Sequence, residues 1–139
     1  MPRDYKENHQ DTWTPDMLIT NRKNTRFGKY DGFSTNLLIG EINSGAKGIS
    51  IQITDVEPNG MQFLHSHEQE QCYYVISGIG LMIIDDQSKE VKEGDAVLIP
   101  SNSTHGIKNI GNNKLTYLTA NQAFGKQREE ELWPDEKNL

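Results

Sequence analysis

Hydrophobic and polar residues alternate over short stretches through most of the chain. Residues 49–54 are the clearest example, because isoleucine occupies every odd position and a polar residue every even one. This period of two is typical of a half-buried antiparallel strand. Similar runs, separated by Gly, Asn, Pro and Asp, predict further strands over 36–42, 61–67, 73–77, 81–85, 96–99, 105–110 and 115–120. Many short strands with little helix predict an all-β barrel or sandwich.

Glycines indicate how some of these strands connect. Gly78 and Gly80 lie between the strands predicted over 73–77 and 81–85, so these two strands are expected to form a hairpin. The sequence Glu-Gly-Asp at 93–95 predicts a second tight connection, again between strands that pair with each other.

The two ends of the chain differ in character from its centre. Residues 1–35 are mostly polar and are predicted to form an N-terminal arm, in which 21–36 is interpreted as loop. The strand pattern fills residues 36–122, the predicted barrel. Residues 123–139 form the predicted C-terminal tail, with a short helix over 124–132.

Composition narrows the classes of function. The 139 residues suffice for one domain with a core. A net charge of −6 and the lack of a Lys/Arg stripe on the barrel segment argue against nucleic-acid binding. The sequence has no run of about 18 or more apolar residues, which argues against a membrane span, and no apolar signal core, so a cytoplasmic protein is expected. Cys72 is the single cysteine, which excludes an internal disulfide.

Histidines supply the candidate chemistry. His65 and His67 are two positions apart, so an extended backbone would direct both rings to one face of a strand. Gln71 begins the next run of β-forming residues, and His105 follows a later strand. Imidazole suits divalent transition metals, and an amide oxygen is a weaker donor that can complete the set. Each histidine taken alone is more often structural, but the group predicts a metal pocket.

These residues belong to two spaced motifs. The first motif is Gly60, His65, His67, Gln71 and Gly78, and the second is Gly94, Pro100, Asn102, His105 and Asn109. With these motifs the chain, from about residue 36 to 122, resembles the small single-domain cupins of the RmlC-like type. The resemblance implies a double-stranded β-helix, or jelly roll. It also implies a divalent metal bound by His65, His67, Gln71 and His105.

The sequence departs from the cupin pattern in three places. The spacer after Gly60 is one residue shorter than usual, and Asn102 stands where the second motif has a glycine. Gln71 replaces the usual ligand glutamate; Glu70 is the alternative ligand, but the spacing to Gly78 favours Gln71. A neutral amide would leave a bound ion with its full double charge, which favours anionic oxygen ligands and weakens metal retention. Fe, Mn, Ni, Co and Zn all fit such a set.

Tyr73 lies two positions after the predicted amide ligand and shares its inward face. Resemblance to cupin lyases implies that its phenol acts as a catalytic base near the metal. The alternative is a barrel-lining residue with a hydrogen-bonded hydroxyl. Met61, Phe63, Val75 and Ile107 are expected to line a mostly apolar substrate pocket, although plain core packing explains each of them equally well.

These features predict a metal-dependent enzyme that acts on a small anionic organic molecule by dioxygenase, isomerase or lyase chemistry. The alternative is a non-catalytic protein that binds or senses a metal or small molecule, and a third possibility is a barrel with a vestigial site. Resemblance to small cupins that pair through their sheets also implies a homodimer.

Overall fold

The computed structural model describes residues 17–135, so residues 1–16 of the predicted arm lie outside the described range. Within this range the chain forms ten strands and two short α-helices, and neither helix is long and apolar enough to cross a membrane. In chain order the elements are β1 (Arg26–Tyr30), β2 (Phe33–Ile39), α1 (Glu41–Ser44), β3 (Ile49–Val56), β4 (Met61–His65), β5 (Gln71–Ser77), β6 (Ile79–Ile84), β7 (Gln87–Lys92), β8 (Ala96–Ile99), β9 (His105–Asn109), β10 (Leu115–Gln122) and α2 (Lys126–Leu132).

The strands form two antiparallel sheets with a shared core. Six strands make the larger sheet in the order β1-β2-β3-β10-β5-β8, and four make the smaller one in the order β4-β9-β6-β7. Strands that follow one another in the chain often lie in different sheets, which is how a jelly roll is connected. The predicted all-β jelly-roll fold is confirmed.

The hydrophobic core occupies one end of the space between the sheets. Val56, Val75, Ile107 and Leu115 are completely buried there. Toward the other end, the inward-facing positions of the same strands become polar; Thr119 of β10, for example, is buried. The barrel interior therefore has an apolar end and a polar end.

β3 presents its polar side chains to the interior and its isoleucines to the outside. Gln52 and Thr54 are 4% and 5% exposed, whereas Ile49 is 49% exposed and Ile51 and Ile53 are half-buried. The alternation predicted a half-buried strand but could not say which set of residues faces inward. Buried amides and hydroxyls cost free energy unless they are hydrogen-bonded. In this orientation the polar side chains of β3 therefore need hydrogen-bond partners inside the barrel.

The predicted hairpin around Gly78 and Gly80 is wrong. β5 pairs with β10 and β8 in the larger sheet, whereas β6 pairs with β7 and β9 in the smaller one. Gly78 has a φ of 95° and passes so close to β10 that a Cβ would lie 2.8 Å from the Leu115 Cα. The pairing predicted around 93–95 is also wrong, because β7 and β8 belong to different sheets. A local turn signal indicates a change of direction, but not which strand the chain will pair with next.

The loop predicted over 21–36 is wrong for β1 and the first part of β2, which form an antiparallel pair. β1 is an edge strand, and Asp135, which follows α2, covers it. The Phe27 N–H donates to the Asp135 carbonyl oxygen at 2.8 Å, and the Asp135 N–H donates back at 3.1 Å. A short strand with a central glycine has little local signal, so this distant contact stabilises it. The helix predicted over 124–132 is confirmed as α2, and α1 was not predicted.

Candidate metal centre

Three histidines converge at the polar end of the barrel. His65 ends β4 and pairs with His105, the first residue of β9. The strand predicted over 61–67 stops at His65, so His67 reaches the site from the loop that follows. The ring centroids of His65 and His105 are 4.3 Å apart, and those of His67 and His105 are 4.9 Å apart. One ring nitrogen from each histidine lies within 4.8 Å of the other two, so the three can hold one metal ion.

Backbone carbonyl groups fix the orientation of all three rings. Each Nδ1 lies 2.9–3.0 Å from the carbonyl oxygen of a residue two positions away in the sequence. Because a carbonyl oxygen only accepts hydrogen bonds, each Nδ1 carries the proton and each Nε2 keeps its lone pair. Metal-ligating histidines typically make a second contact of this kind.

Gln71, at the start of β5, is 6% exposed and lies at the same end of the barrel. Its Oε1, like the Nε2 atoms of His67 and His105, is buried and has no hydrogen-bond partner within residues 17–135. Unpartnered buried atoms are costly, and a cation would satisfy all three together. The donor set therefore fits a divalent transition metal. Glu70, the alternative ligand, is exposed.

Burial keeps the three imidazoles neutral. It lowers the pKa of His105 from 6.5 to about 4, and it lowers the pKa of His65 and that of His67 below 6.5. Metal binding requires unprotonated nitrogens. These shifts favour the neutral form of each ring, which is the form that binds a metal.

A cavity of about 410 Å³ opens beside the histidines, within the range of about 300–1,000 Å³ that is usual for small-molecule pockets. Phe63 and Tyr73, two of the residues predicted for a substrate pocket, line this cavity. The structure places Val75 and Ile107 in the hydrophobic core instead, and Met61 is not part of the cavity wall. The reason is the division of the interior: aromatic and polar side chains line the cavity beside the histidines, while aliphatic ones fill the opposite end.

Gln62 connects the histidines with two buried tyrosines, although it belongs to neither motif. The Tyr73 hydroxyl donates to Gln62 Oε1 at 3.0 Å, and the Tyr117 hydroxyl donates to the same oxygen at 3.4 Å. The Gln62 Nε2 consequently faces His65 Nε2, at 3.4 Å. Burial raises the pKa of Tyr73 well above 10, and it also raises the pKa of Tyr117. Both phenols are thus hydrogen-bond donors that orient the amide, and a catalytic role for Tyr73 stays a prediction.

The C-terminal segment closes one side of the cavity. Phe124, Arg128 and Trp133 line the cavity, although they follow the last strand and have no motif. The Trp133 indole N–H donates to Thr35 Oγ1 at 3.2 Å. Glu129, completely buried, accepts hydrogen bonds from two backbone N–H groups of α1 at 3.1 and 3.2 Å. These contacts hold α2 against the barrel.

The family assignment follows from a direct match. A family model described as a cupin domain matches residues 52–121, which is half of the chain and includes the four predicted ligands. The chain belongs to the cupin family. The resemblance inferred from the two motifs is therefore confirmed.

Several known proteins are similar to this cupin. An uncharacterised protein of Methanocaldococcus jannaschii is 40% identical over 75 residues, which cover 52% of this chain and 60% of that protein. An oxalate-binding protein of Thermotoga maritima is 34% identical over 62 residues, covering 44% of this chain and 51% of the relative. The matched segments thus span little more than half of either relative. The polyketide cyclase RemF of Streptomyces resistomycificus has a TM-score of 0.68 at 24% identity, over 77% of this chain and 80% of RemF, and this likeness shows the fold alone.

Replacing Gln71 with glutamate is expected to strengthen metal binding by at least about tenfold, or about 1.4 kcal/mol. The variant places a carboxylate where the neutral Oε1 stands, and opposite unit charges about 4 Å apart attract by about 4 kcal/mol near a protein surface. Competition with a chromophoric chelator measures the change. Glu70→Gln is the matched control, because it removes an exposed charge next to the site. If Glu70→Gln weakened metal binding and Gln71→Glu did not change it, the ligand would be Glu70.

Proposed function

We propose that this cupin is a metal-dependent enzyme that acts on a small anionic organic molecule. The observation that supports the proposal is the set of unpartnered buried atoms on His67, Gln71 and His105 beside a cavity of about 410 Å³. His65 completes the proposed ligand set, since its ring lies against that of His105.

A divalent transition metal such as Fe, Mn, Ni, Co or Zn would be held by these three imidazoles and the amide oxygen. When bound, it supplies a Lewis acid that attracts and polarises the oxygens of an anion. The four proposed ligands are neutral, so the site favours a ligand that brings negative charge. Gln62, whose carbonyl oxygen is engaged by two tyrosines, has its N–H₂ group 3.4 Å from His65 Nε2 and therefore lies beside the proposed metal position. Arg128 is exposed and lines the cavity; it adds a positive charge there, although its guanidinium also pairs with Glu131 at 3.0 Å.

Metal analysis and product analysis test the proposal in sequence. Protein purified without chelators is expected to contain about one transition-metal ion per chain and to lose it on dialysis against EDTA. Metal-loaded and metal-free samples are then incubated with a panel of dicarboxylates, 2-oxo acids and hydroxy acids. Mass spectrometry and an oxygen electrode follow product formation, which should require the metal. Failure to bind any of the five metals would contradict the proposal.

The Tyr73→Phe variant separates the proposed reaction types. If the enzyme is an isomerase or a lyase, loss of the hydroxyl is expected to reduce turnover by about 10²-fold or more, the usual contribution of a proton-transfer group, with metal content unchanged. Tyr117→Phe is the matched control, because its hydroxyl bonds the same Gln62 oxygen at the longer distance of 3.4 Å. Unchanged turnover in Tyr73→Phe would eliminate the isomerase and lyase reactions that rely on this residue and leave the dioxygenase.

Metal-dependent binding without turnover is the second candidate function. The name of the Thermotoga relative, an oxalate-binding protein, favours it. Calorimetry on the metal-loaded protein distinguishes the two functions. Saturable binding of an acid that is recovered unchanged after prolonged incubation would favour the binding protein over the enzyme.

We also propose a homodimer formed through the outer face of the larger sheet. Leu118 lies in register between Ile53 and Tyr74 on that face, and Tyr74 and Leu98 are 50% and 62% exposed. A contiguous apolar surface of this kind is typical of an interface. Light scattering is expected to show a dimer that Tyr74→Glu converts to a monomer, whereas Lys89→Glu, on exposed β7, leaves it intact. A wild-type mass equal to one chain would contradict the dimer.

A further inference from the structure

The cavity wall formed by β2, β3 and β10 carries hydrogen-bonding side chains that belong to no metal motif. Thr35, Gln52, Thr54 and Thr119 make up this polar wall; each is at most 8% exposed, and all four line the cavity. The strand register places Gln52 opposite Thr119, and Thr119 opposite Tyr73. Because Tyr73 is two residues from the proposed ligand on β5, the wall begins one row of side chains away from the metal centre.

Part of the hydrogen-bonding capacity of the polar wall is used within the protein. The Thr54 hydroxyl donates to Thr35 Oγ1 at 3.1 Å, and the Gln52 Nε2 donates to Ser50 Oγ at 2.5 Å. The Gln52 carbonyl oxygen and the Thr119 hydroxyl are further polar groups of this buried wall. These two groups offer the cavity an acceptor and a group that can donate or accept.

The remainder of the cavity is aromatic and has few charges. The aromatic side chains that line it, besides Tyr73 and Tyr117, are Tyr30, Phe33, Phe63, Phe124 and Trp133. Among the described lining residues the charged ones are Glu68 and Arg128, and both are exposed. Away from the metal centre, the interior therefore suits the uncharged part of a ligand that has oxygen atoms on its edge and apolar faces.

We propose that the ligand of this cavity is a cyclic, polyhydroxylated monocarboxylic acid. Its carboxylate lies at the metal centre, its hydroxyl groups bond to Gln52 and Thr119, and its ring packs against the aromatic side chains. This inference rests on the proposed function, because the carboxylate requires the metal. Oxalate, named for the Thermotoga relative, has neither a ring nor hydroxyl groups and is too small to fill about 410 Å³.

Calorimetry with matched acids tests the proposal on the metal-loaded protein. Quinate, shikimate and glucuronate are the hydroxylated ring acids; cyclohexanecarboxylate has the same kind of ring and carboxylate without hydroxyl groups, and oxalate is the small acid. At least one hydroxylated acid is expected to bind about tenfold or more tightly than cyclohexanecarboxylate and oxalate. Equal or weaker binding of all three hydroxylated acids would overturn the inference.

Two variants tie that preference to the polar wall. Thr119→Val and Gln52→Leu are each expected to weaken binding of the preferred hydroxylated acid by about five- to tenfold, with no change for cyclohexanecarboxylate. Gln87→Leu, on exposed β7, is the matched control and is expected to change neither affinity. Unchanged binding of the hydroxylated acid by both wall variants would overturn the inference.

The outcomes separate this inference from the function on which it rests. If oxalate or cyclohexanecarboxylate binds tightly and hydroxylated acids bind no better, the inference is wrong. The metal-dependent recognition of an anion would still stand. If the metal is retained but no acid binds, the inference and the anionic substrate fail together. If the metal itself does not bind, the proposed function has already failed at the preceding metal analysis.

Discussion

The His105→Ala variant is expected to bind its transition metal at least about a hundredfold more weakly than the wild-type chain. Loss of residues that merely orient a ligand typically costs about 10–100-fold in affinity, and this change removes a proposed ligand itself. His105 is completely buried, its Nδ1 is fixed by the Ser103 carbonyl oxygen at 2.9 Å, and its Nε2 is unpartnered within the described residues. No neighbouring imidazole can take its place without a change in backbone position. Metal content after purification and chelator competition both measure the loss.

Lys108→Ala is the control for this change, because Lys108 lies on the same strand and its side chain is exposed. It is expected to retain the wild-type metal content. Circular dichroism establishes that both variants keep the β-sheet signal, since removal of a buried ring also leaves a cavity. A folded His105→Ala protein with wild-type metal affinity would exclude His105 from the ligand set.

The Glu129→Ala variant is expected to lower the free energy of unfolding by about 3–5 kcal/mol. Glu129 is completely buried, and its carboxyl group accepts hydrogen bonds from the backbone N–H groups of Glu41 and Ile42. Each of these half-buried donors that loses its charged partner costs up to about 1–3 kcal/mol, and the missing side chain leaves a cavity. Gly40 is packed so tightly against this group that a Cβ there would lie 2.8 Å from Glu129 Oε2. Urea denaturation measures the change.

Glu130→Ala is the matched control on the same helix. Glu130 is exposed, so its removal is expected to change the free energy of unfolding by no more than about 0.5 kcal/mol. Because α2 holds one side of the cavity, Glu129→Ala is also expected to weaken acid binding more than metal binding. Equal denaturation midpoints for the two variants would show that the Glu129 contact does not stabilise the attachment of α2.

The sequence identified the candidate chemistry because that chemistry depends on residue type and short spacing. Imidazoles at 65 and 67 with an amide at 71 are recognisable from the chain alone, and so is the distant His105 once a second motif is seen. The period of two along residues 49–54 likewise predicted a strand, since successive side chains of an extended backbone point to opposite faces. The fold class and the proposed metal ligands could be predicted from the sequence for this reason.

Contacts between residues far apart in the chain decided the strand pairing, the orientation of β3 and the remaining residues of the site. Gly78 lies between β5 and β6, which belong to different sheets, and packs directly against β10. β1 pairs with β2, and a bridge to Asp135 covers its other edge. The local sequence does not show that Gln52 faces inward and the isoleucines beside it face outward, because the alternation is the same in both orientations. Gln62 and Trp133 became part of the site only through packing, because their positions depend on which strands and helices meet around the cavity.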